Sequence, residues 1–184
     1  MRTSDNKIEM GCYLMTDSYN RGLQASSDGF AHELIVAGLL MKRYKNVSLV
    51  DLPLSRYDII TVLKDEDSKE NMIRAQVKTA RTSISFTGGS RGGIDREYKS
   101  GVKEYVQSTE TSDVVIGIHP NPKDEGSFDL YFVPTILIGK LGQKSISIKK
   151  VQGLKNNYEM LERCKDERYV LTECEKLRIL SSPA

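Results

Sequence analysis

Cysteine is scarce in this chain, which has three among its 184 residues, namely Cys12, Cys164 and Cys174. They are too few and too far apart for a disulfide scaffold, and none has the paired spacing of a zinc ribbon. Neither a disulfide-stapled secreted domain nor a structural zinc fold fits this pattern. We therefore expect a protein of the reducing cytoplasm.

Long hydrophobic runs are missing as well. The longest uninterrupted run extends from Leu34 to Met41, whereas a membrane-spanning helix needs about 20 apolar residues. The polar N-terminal residues include no hydrophobic region of the kind found in signal peptides. We therefore expect a soluble protein that is neither exported nor held in a membrane.

An excess of charge of one sign is also absent, because 27 basic and 25 acidic side chains leave a net charge of +2. At this balance no global basic field identifies nucleic acid as a partner. Any contact with DNA must therefore come from local clusters of arginine and lysine. The length suits one compact domain with a sizeable core.

Two common motifs are incomplete. Gly88-Gly89 and Gly92-Gly93 lack the Gly-Lys-Ser or Gly-Lys-Thr that completes a phosphate-binding loop, so nucleotide hydrolysis is unsupported. The pair His32-Glu33 starts like a zinc-protease helix, but Val36 and Ala37 stand where the second histidine is needed. His119, a lone histidine at the end of a strand-like run, is expected to be structural.

Two strand-like runs stand near the middle of the chain. Tyr57–Leu63 is rich in β-branched and aromatic residues, and Met72–Thr79 alternates between apolar and polar residues. The charged segment 64–71 between them has too little apolar surface to be buried. The period of two in a strand places Gln76 and Lys78 on one face and the apolar side chains on the other, namely Ile73, Ala75 and Val77.

Asp58, Gln76 and Lys78 have the chemistry of a metal-dependent phosphodiesterase. Such a site needs hard oxygen ligands, an open position for water and a nearby cation. The Asp58 carboxylate, the Gln76 side-chain oxygen and the Val77 carbonyl supply the ligands, and the Lys78 ammonium supplies the charge partner of the attacking water. The alternative is that Gln76 and Lys78 are ordinary solvent-facing strand residues.

The segment Asp28–Tyr44 is predicted to be a helix with Asp28 as its N-cap. Its predicted buried face consists of Phe30, Leu34, Ala37, Leu40 and Met41. Glu33 stands beside this face, where a carboxylate needs a partner such as a metal or its waters. Alternatively, Glu33 lies at the rim and is stabilised by the helix N-terminus. Residues 1–28 fit an arm or a short helix.

This order of a helix with an early glutamate, a short strand, Tyr-Asp and a strand ending in Gln-Val-Lys resembles the PD-(D/E)XK nuclease superfamily. The run Arg74–Ala80 resembles the branch in which glutamine replaces the second acidic ligand, as in certain restriction enzymes and a homing endonuclease of bacterial introns. The resemblance covers roughly Gly29–Pro134. It implies that Asp58 is a metal ligand, Gln76 the third motif position, Lys78 the catalytic lysine and Glu33 the helix-borne acid.

Two departures from the superfamily pattern are visible. Ser55-Arg56-Tyr57 precedes Asp58 where the literal motif has a proline, which is common in so loosely defined a group. The second departure is Gln76, which is not acidic, and the loss of an anionic ligand weakens the binding of a divalent ion. Members of the superfamily with eroded sites also exist as binding modules without catalysis.

A basic, glycine-rich segment follows the second strand directly. It is short of apolar residues and suits a mobile loop. Its basic side chains are predicted to bind the phosphates of a duplex lying over Lys78, and these are Arg81, Arg91, Arg96, Lys99 and Lys103. Tyr98 and Tyr105 bracket the segment and are expected to contact sugar or base. The alternative is a solvated connection.

The remaining elements complete a single domain with an N-terminal arm at 1–28, a catalytic core at 29–134 and a C-terminal part at 135–184. Strands are predicted at Asp113–His119 and Phe128–Val133. A short helix is predicted at Pro134–Ile138. A short strand and two amphipathic helices follow, at Ser145–Ile148, Asn156–Lys165 and Tyr169–Leu180.

The sequence therefore predicts an α/β, restriction-endonuclease-like fold with a mixed central β-sheet flanked by helices. The predicted activity is Mg²⁺-dependent cleavage of double-stranded DNA at a specific site, with Mn²⁺ as a substitute, by a homodimer or higher homo-oligomer. A homing endonuclease or a Holliday-junction resolvase is the enzymatic alternative. The alternative of another class is a DNA-binding protein that kept the fold and lost catalysis. If the three side chains do not converge, the chain is an unrelated α/β protein.

Overall fold

The computed structural model describes residues 5–52, 55–64, 68–89, 104–121, 123–124 and 126–180, with side chains from Leu23 onward. The helices are α1 Asp5–Met41, α2 Thr135–Leu141, α3 Tyr158–Glu162 and α4 Glu167–Lys176, with a short 3-10 helix at Gln152–Leu154. The strands are β1 Asn46–Leu49, β2 Ile59–Lys64, β3 Glu70–Thr79, β4 Ser83–Ser85, β5 Thr87–Gly88, β6 Tyr105–Val106, β7 Val114–Pro120, β8 Phe128–Pro134 and β9 Ser145–Ser147.

A five-stranded mixed sheet in the order β1-β2-β3-β7-β8 forms the centre of the fold. β3 pairs antiparallel with β2 and parallel with β7, and the two outer pairs, β1 with β2 and β7 with β8, are antiparallel. The predicted fold class, a mixed central sheet flanked by helices, is confirmed. The predicted alternation of β3 is confirmed too, because its buried side chains are Ile73, Ala75 and Val77.

β7 and β8 are the most apolar strands of the sheet. Val114–Ile118 is buried without interruption, as is Leu130–Pro134. A strand covered on both faces has no solvent side, which is why these runs are continuously apolar rather than alternating. Both predicted strands are confirmed, and the second is the antiparallel neighbour of the first.

The predicted start of the first helix at Asp28 is wrong, because α1 begins at Asp5 and extends over 37 residues. Asp28 lies inside it, where its carboxylate accepts a hydrogen bond from the Gln24 side chain one turn earlier. Residues 5–28 include no proline that would interrupt helical hydrogen bonding. Asp28 therefore does not start the helix, and residues 5–28 of the expected arm are part of α1.

The buried face of α1 also differs from the prediction. Val36, Ala37 and Leu40 are buried where the helix packs on β1, β2 and β3, whereas Phe30 is 62% exposed and Leu34 46% exposed. Met41 is exposed as well. Two apolar stripes with helical spacing exist on this helix, and periodicity alone does not choose between them. Only Ala37 and Leu40 of the predicted face are buried.

Both predicted C-terminal helices are present, but α3 is shorter at both ends, and α4 begins two residues earlier and ends four residues earlier than predicted. The Asn157 side chain caps α3 by accepting from Met160 N, and the Asp166 side chain caps α4 by accepting from Tyr169 N. Cys164 and Cys174 are buried and unpaired, and burial raises the pKa of each thiol to about 12. Among the described helices, none combines the length and apolarity needed to cross a membrane.

Two small sheets, β4 with β9 and β5 with β6, lie beside the main sheet. Gly117 of β7 makes room for β4, because a Cβ there would stand 2.7 Å from Ile84 Cδ1 and 2.8 Å from Cγ1. Ile84 itself is fully buried. Gly117 therefore lets the segment Ser83–Gly89 lie against the end of β3.

Gly117→Ala is expected to lower the free energy of unfolding by about 1–3 kcal/mol, because the new methyl overpacks the contact with Ile84. The control is Gly139→Ala in α2, where no heavy atom lies within 4 Å of the added Cβ. That change is expected to be neutral or to stabilise by up to about 1 kcal/mol. Urea denaturation measures both, and equal effects of the two substitutions would contradict the proposed close approach.

Candidate active site

The register of β2 and β3 brings Asp58 beside Gln76. Ile59 pairs with Ala75, and the backbone N–H of Asp58 donates to Ala75 O at 2.9 Å. Continuing this antiparallel register by one residue sets Asp58 opposite Gln76, and opposite residues share a face. The two side chains that the sequence singled out therefore meet, although they are 18 residues apart.

The Asp58 carboxylate is held by the strand it faces. Its Oδ2 accepts from the backbone N–H of Val77 at 2.7 Å and from Nε2 of Gln76. Hydrogen bonds to an ionised carboxylate are stronger than those between neutral groups. These two bonds fix the carboxylate at the end of β3 while leaving it half-buried rather than enclosed.

A cleft of about 410 Å³ opens above these residues. Glu33, Asp58, Gln76 and Lys78 all line it, so α1, the residue before β2, and β3 all contribute to the predicted site. The remaining walls are mainly hydroxyl groups and glycine backbone, from Ser55, Ser85, Thr87, Gly88, Gly89 and Tyr105. The structure therefore brings the four predicted side chains into one cleft.

Lys78 lies in this cleft under two opposing influences. Burial lowers the pKa of its ammonium group, while the negative charges of Asp58 and Glu33 raise it part of the way back. The net result is a pKa below the usual range of lysine. Lys78 is therefore more readily deprotonated than an exposed lysine, and it lies within the field of both carboxylates.

The orientation of the Gln76 amide is opposite to the predicted one. Its Nε2 faces Asp58 and lies 3.4 Å from Val77 O, whereas its Oε1 accepts from Gln107 Nε2 at 3.1 Å. The prediction placed the side-chain oxygen toward Asp58 as a metal ligand. In the structure the amide nitrogen occupies that position, because the carboxylate attracts a donor and Gln107 supplies the donor for the oxygen.

The donor set of the cleft suits a hard divalent cation in residue type. Asp58 and Glu33 provide carboxylate oxygens and Gln76 a neutral carbonyl oxygen, which is the chemistry that Mg²⁺ prefers. Val77 is not among the residues that line the cleft, and its carbonyl oxygen lies 3.4 Å from Gln76 Nε2. No cluster of three or more His, Cys, Asp or Glu residues that could hold a metal occurs in the described part of the chain. A cation here would therefore depend on the amide oxygen of Gln76 facing it.

Gln107 and the hydroxyl-lined wall are the parts of the site that sequence reasoning missed. Gln107 is 1% exposed and contacts Gln76 across 31 residues of sequence. No short-range pattern marks such a contact. Tyr105, predicted to contact sugar or base, lines the cleft, and the Arg56 guanidinium lies 5.3 Å from the centre of its ring.

The predicted DNA-binding side chains fall mostly outside the described residues, namely Arg91, Arg96, Lys99 and Lys103, together with Tyr98. Arg81 is described and exposed, two residues after the end of β3. Gly88 and Gly89, which precede Arg91 in the sequence, line the wall of the cleft. The assignment of these residues to phosphate binding stays a prediction.

The two histidines are accounted for by contacts within the fold. His119 Nδ1 donates to Ala80 O at 2.7 Å, since a carbonyl oxygen can only accept. This contact ties the end of β7 to the residue that follows β3, as expected for a structural histidine. His32 Nδ1 shares a hydrogen bond of 2.8 Å with the Thr79 hydroxyl, and its ring meets Phe128 edge-on.

The chain matches none of the protein-family models and none of the curated proteins compared with it. Among solved structures, it is similar to that of a bacterial homing endonuclease, I-Ssp6803I, with a TM-score of 0.48 and 11% sequence identity. The similarity covers 72% of this chain and 89% of that chain.

Asp58→Asn is expected to lower the pKa of Lys78 further, because it removes a negative charge that favours the ammonium form. The fold should persist, since the asparagine oxygen can still accept from Val77 N. Titration of the lysine Cε resonances by NMR measures the change. The control is Glu173→Gln, beside Lys176 at 3.1 Å on α4, which should leave Lys78 unchanged. An unaltered pKa of Lys78 in Asp58→Asn would contradict the coupling.

Proposed function

We propose that this chain is a Mg²⁺-dependent endonuclease that cleaves double-stranded DNA. The observation that carries the proposal is the convergence of Glu33, Asp58, Gln76 and Lys78 in one cleft. Two carboxylates and an amide oxygen can hold a hard cation, and a lysine of lowered pKa can accept a proton from water, so the set is suited to phosphodiester hydrolysis. A purely structural role does not account for these four polar side chains lying together in a half-exposed cleft.

Asp58 and Glu33 would hold the cation through their carboxylates, together with the Gln76 side-chain oxygen and the Val77 carbonyl. When bound, Mg²⁺ or Mn²⁺ supplies Lewis acidity, which stabilises charge on the phosphoryl oxygens and lowers the pKa of water. The residue types fit that role, and Gln76 fits it once its amide is reversed.

Lys78 is the proposed proton acceptor. Because its pKa is lowered, a larger fraction is neutral amine at a given pH than for an exposed lysine. The neutral amine takes a proton from the attacking water, and the resulting ammonium offsets the negative charge that develops on the phosphate. Asp58 and Glu33 stabilise that ammonium, so they favour the product of the proton transfer.

The hydroxyl-lined wall is the proposed contact surface for the DNA backbone. Ser85 and Thr87 lie with their hydroxyl oxygens 3.0 Å apart, and Thr87 N donates to Ser85 Oγ. Hydroxyl groups and glycine N–H groups bind phosphate oxygens without reading the base sequence. We assign phosphate contacts also to the basic side chains that follow in sequence, namely Arg81, Arg91, Arg96, Lys99 and Lys103.

A symmetric homodimer is the proposed assembly, since one cleft cuts one strand and two-fold symmetry places a second cleft on the other strand. Among the described residues, α1 carries an apolar stripe made of Leu23, Phe30, Leu34 and Met41, all exposed. The intervals of 7, 4 and 7 residues between them read the same in both directions. In a two-fold-related antiparallel pair, the two copies present this same stripe to each other, which supports self-association along α1.

A second candidate is a DNA-binding protein that has lost catalysis. The orientation of Gln76 favours it, because the amide nitrogen rather than the oxygen faces Asp58. Restriction-type cleavage is the leading version of the enzyme, and homing or junction-resolving endonucleases would use the same residues on a different DNA.

The test is incubation of supercoiled plasmid, linear duplex and a four-way junction with Mg²⁺ or with EDTA. Wild-type protein is expected to cut only with Mg²⁺, and Lys78→Ala should reduce the rate by at least about 100-fold while retaining DNA binding. Lys176→Ala, a lysine on the exposed surface of α4, is the matched control and should cut normally. Linear product formed without a nicked intermediate supports paired clefts in a dimer, and accumulation of nicked circles contradicts them.

The outcomes separate the candidates. Binding of DNA without cleavage of any substrate would favour the catalytically silent protein. Cleavage that persists in Lys78→Ala would remove Lys78 from the reaction. Failure to bind any of the three DNA forms would overturn both candidates.

A further inference from the structure

Gln107 is the most deeply buried polar side chain that contacts the site, and none of the roles assigned above uses it. It follows β6, and its backbone N–H donates to Phe86 O at 2.8 Å. Its amide is 1% exposed, and the amide makes four hydrogen bonds at 2.5–3.2 Å. A buried amide with this many partners has one preferred orientation.

Two hydroxyl groups hold the oxygen of Gln107. Its Oε1 accepts from the Thr111 hydroxyl at 2.5 Å and from the Ser112 hydroxyl at 2.9 Å. Both hydroxyl residues are buried. Thr111 Oγ1 is itself fixed, since it accepts from Ser108 N at 2.8 Å.

Two acceptors hold the nitrogen of Gln107. Its Nε2 donates to Arg56 O at 3.2 Å and to Gln76 Oε1 at 3.1 Å. A backbone carbonyl cannot donate, so a reversed Gln107 would set two oxygens against each other at Arg56 with no proton between them. The Arg56 carbonyl therefore determines which end of the Gln107 amide faces Gln76.

The donor-to-acceptor direction of these hydrogen bonds is passed on through Gln76 to the Asp58 carboxylate. Because Gln107 donates to Gln76 Oε1, the nitrogen of Gln76 is left to donate to Asp58. Asp58 also accepts from Val77 N. From Gln107 to Gln76 to Asp58, each donor therefore faces an acceptor. The Gln107 amide thus holds Gln76 with its nitrogen toward Asp58.

We propose that Gln107 is a positioning residue that opposes divalent-cation binding at Asp58, and that the amides of Gln76 and Gln107 reverse together when a cation binds. This inference rests on the proposed function. In the reversed arrangement Gln76 Nε2 donates to Gln107 Oε1, and Gln76 Oε1 faces Asp58. Gln107 Nε2 then donates to the two hydroxyl oxygens, which can accept as well as donate.

The structure already holds the alternative partner that this reversal needs. Ser108 O lies 2.9 Å from Thr111 Oγ1, so the Thr111 proton can turn to it when Gln107 presents a donor instead of an acceptor. Two contacts worsen: Gln107 Oε1 meets Arg56 O, and the proton of the buried Ser112 hydroxyl loses Gln107 Oε1 as its acceptor. These two costs are the physical source of the opposition to cation binding.

Gln107→Glu tests the proposal directly. A carboxylate at this position accepts from Thr111, Ser112 and Gln76 Nε2 but cannot donate to Gln76 Oε1, so the amide oxygen of Gln76 turns toward Asp58. Mg²⁺ alone, titrated by calorimetry, is expected to bind about tenfold more tightly than to wild type, a difference of about 1.4 kcal/mol.

The matched control is Gln152→Glu. It adds the same charge at a glutamine whose amide contacts Tyr131 Oη and Ile148 O, away from the cleft. Its Mg²⁺ affinity should stay within about twofold of wild type, a change well under 1 kcal/mol. The charge added by Gln107→Glu also attracts Mg²⁺ to the cleft, so tighter binding supports the proposal only when the side-chain amide resonances of Gln76 shift in Mg²⁺-free Gln107→Glu, as a turned amide requires. Tighter binding without that shift would overturn it.

A second measurement uses the unaltered protein and is independent of whether the variant folds. The side-chain amide resonances of Gln76 and Gln107 should shift together in NMR spectra as Mg²⁺ is added, while those of Gln152 stay still. Movement of Gln76 alone, or Mg²⁺ binding with neither amide moving, would overturn the coupled reversal.

The failure of this inference is distinguishable from failure of the proposed function. Equal Mg²⁺ affinity of wild type and Gln107→Glu would overturn the role of Gln107 and leave the endonuclease proposal standing. Absence of Mg²⁺ binding in both proteins would overturn the cation-dependent function and this inference with it.

Discussion

The position of β3, between an antiparallel and a parallel neighbour, is the constraint on which the site depends. Pairing with β2 sets Asp58 opposite Gln76, and the N–H of Val77 holds the carboxylate in place. Pairing with β7 sets Lys78 beside Gly117, whose missing side chain admits β4 and the hydroxyl-lined wall. The pairing of β3 with β2 therefore positions the Asp58 carboxylate, and its pairing with β7 positions the wall of the cleft.

The glutamine at position 76 changes the electrostatics of this arrangement. With Glu33 and Asp58 ionised and Lys78 protonated, the cleft carries one excess negative charge, and an acidic residue at 76 would add another. A neutral amide avoids that repulsion. It also introduces a new requirement, because an amide has a donor end and an acceptor end, and the protein must control which one faces Asp58. Gln107 supplies that control through Arg56 O and the hydroxyls of Thr111 and Ser112.

Strand periodicity was sufficient to predict the local part of the site. The period of two placed Gln76 and Lys78 on one face, whereas Asp58 was assigned to the site from its chemistry and from the resemblance, and its convergence with them was left open. The buried face of α1 was not predictable from periodicity, since two apolar stripes with the same spacing compete and only packing on the sheet selects Val36 and Leu40. Gln107 lay beyond sequence reasoning, because its contact with Gln76 depends on tertiary structure and an amide orientation is decided by its partners.

The most direct test of the central claim, that Asp58 and Gln76 form the cation site of a phosphodiesterase, is a crystal structure of Lys78→Ala protein with duplex DNA and Mn²⁺. The anomalous signal of manganese locates the ion without reference to the expected ligands. We predict a peak within bonding distance of the Asp58 carboxylate and the Gln76 side-chain oxygen, with a DNA phosphate beside it. DNA and manganese bound elsewhere, with Gln76 Nε2 still donating to Asp58, would contradict the account.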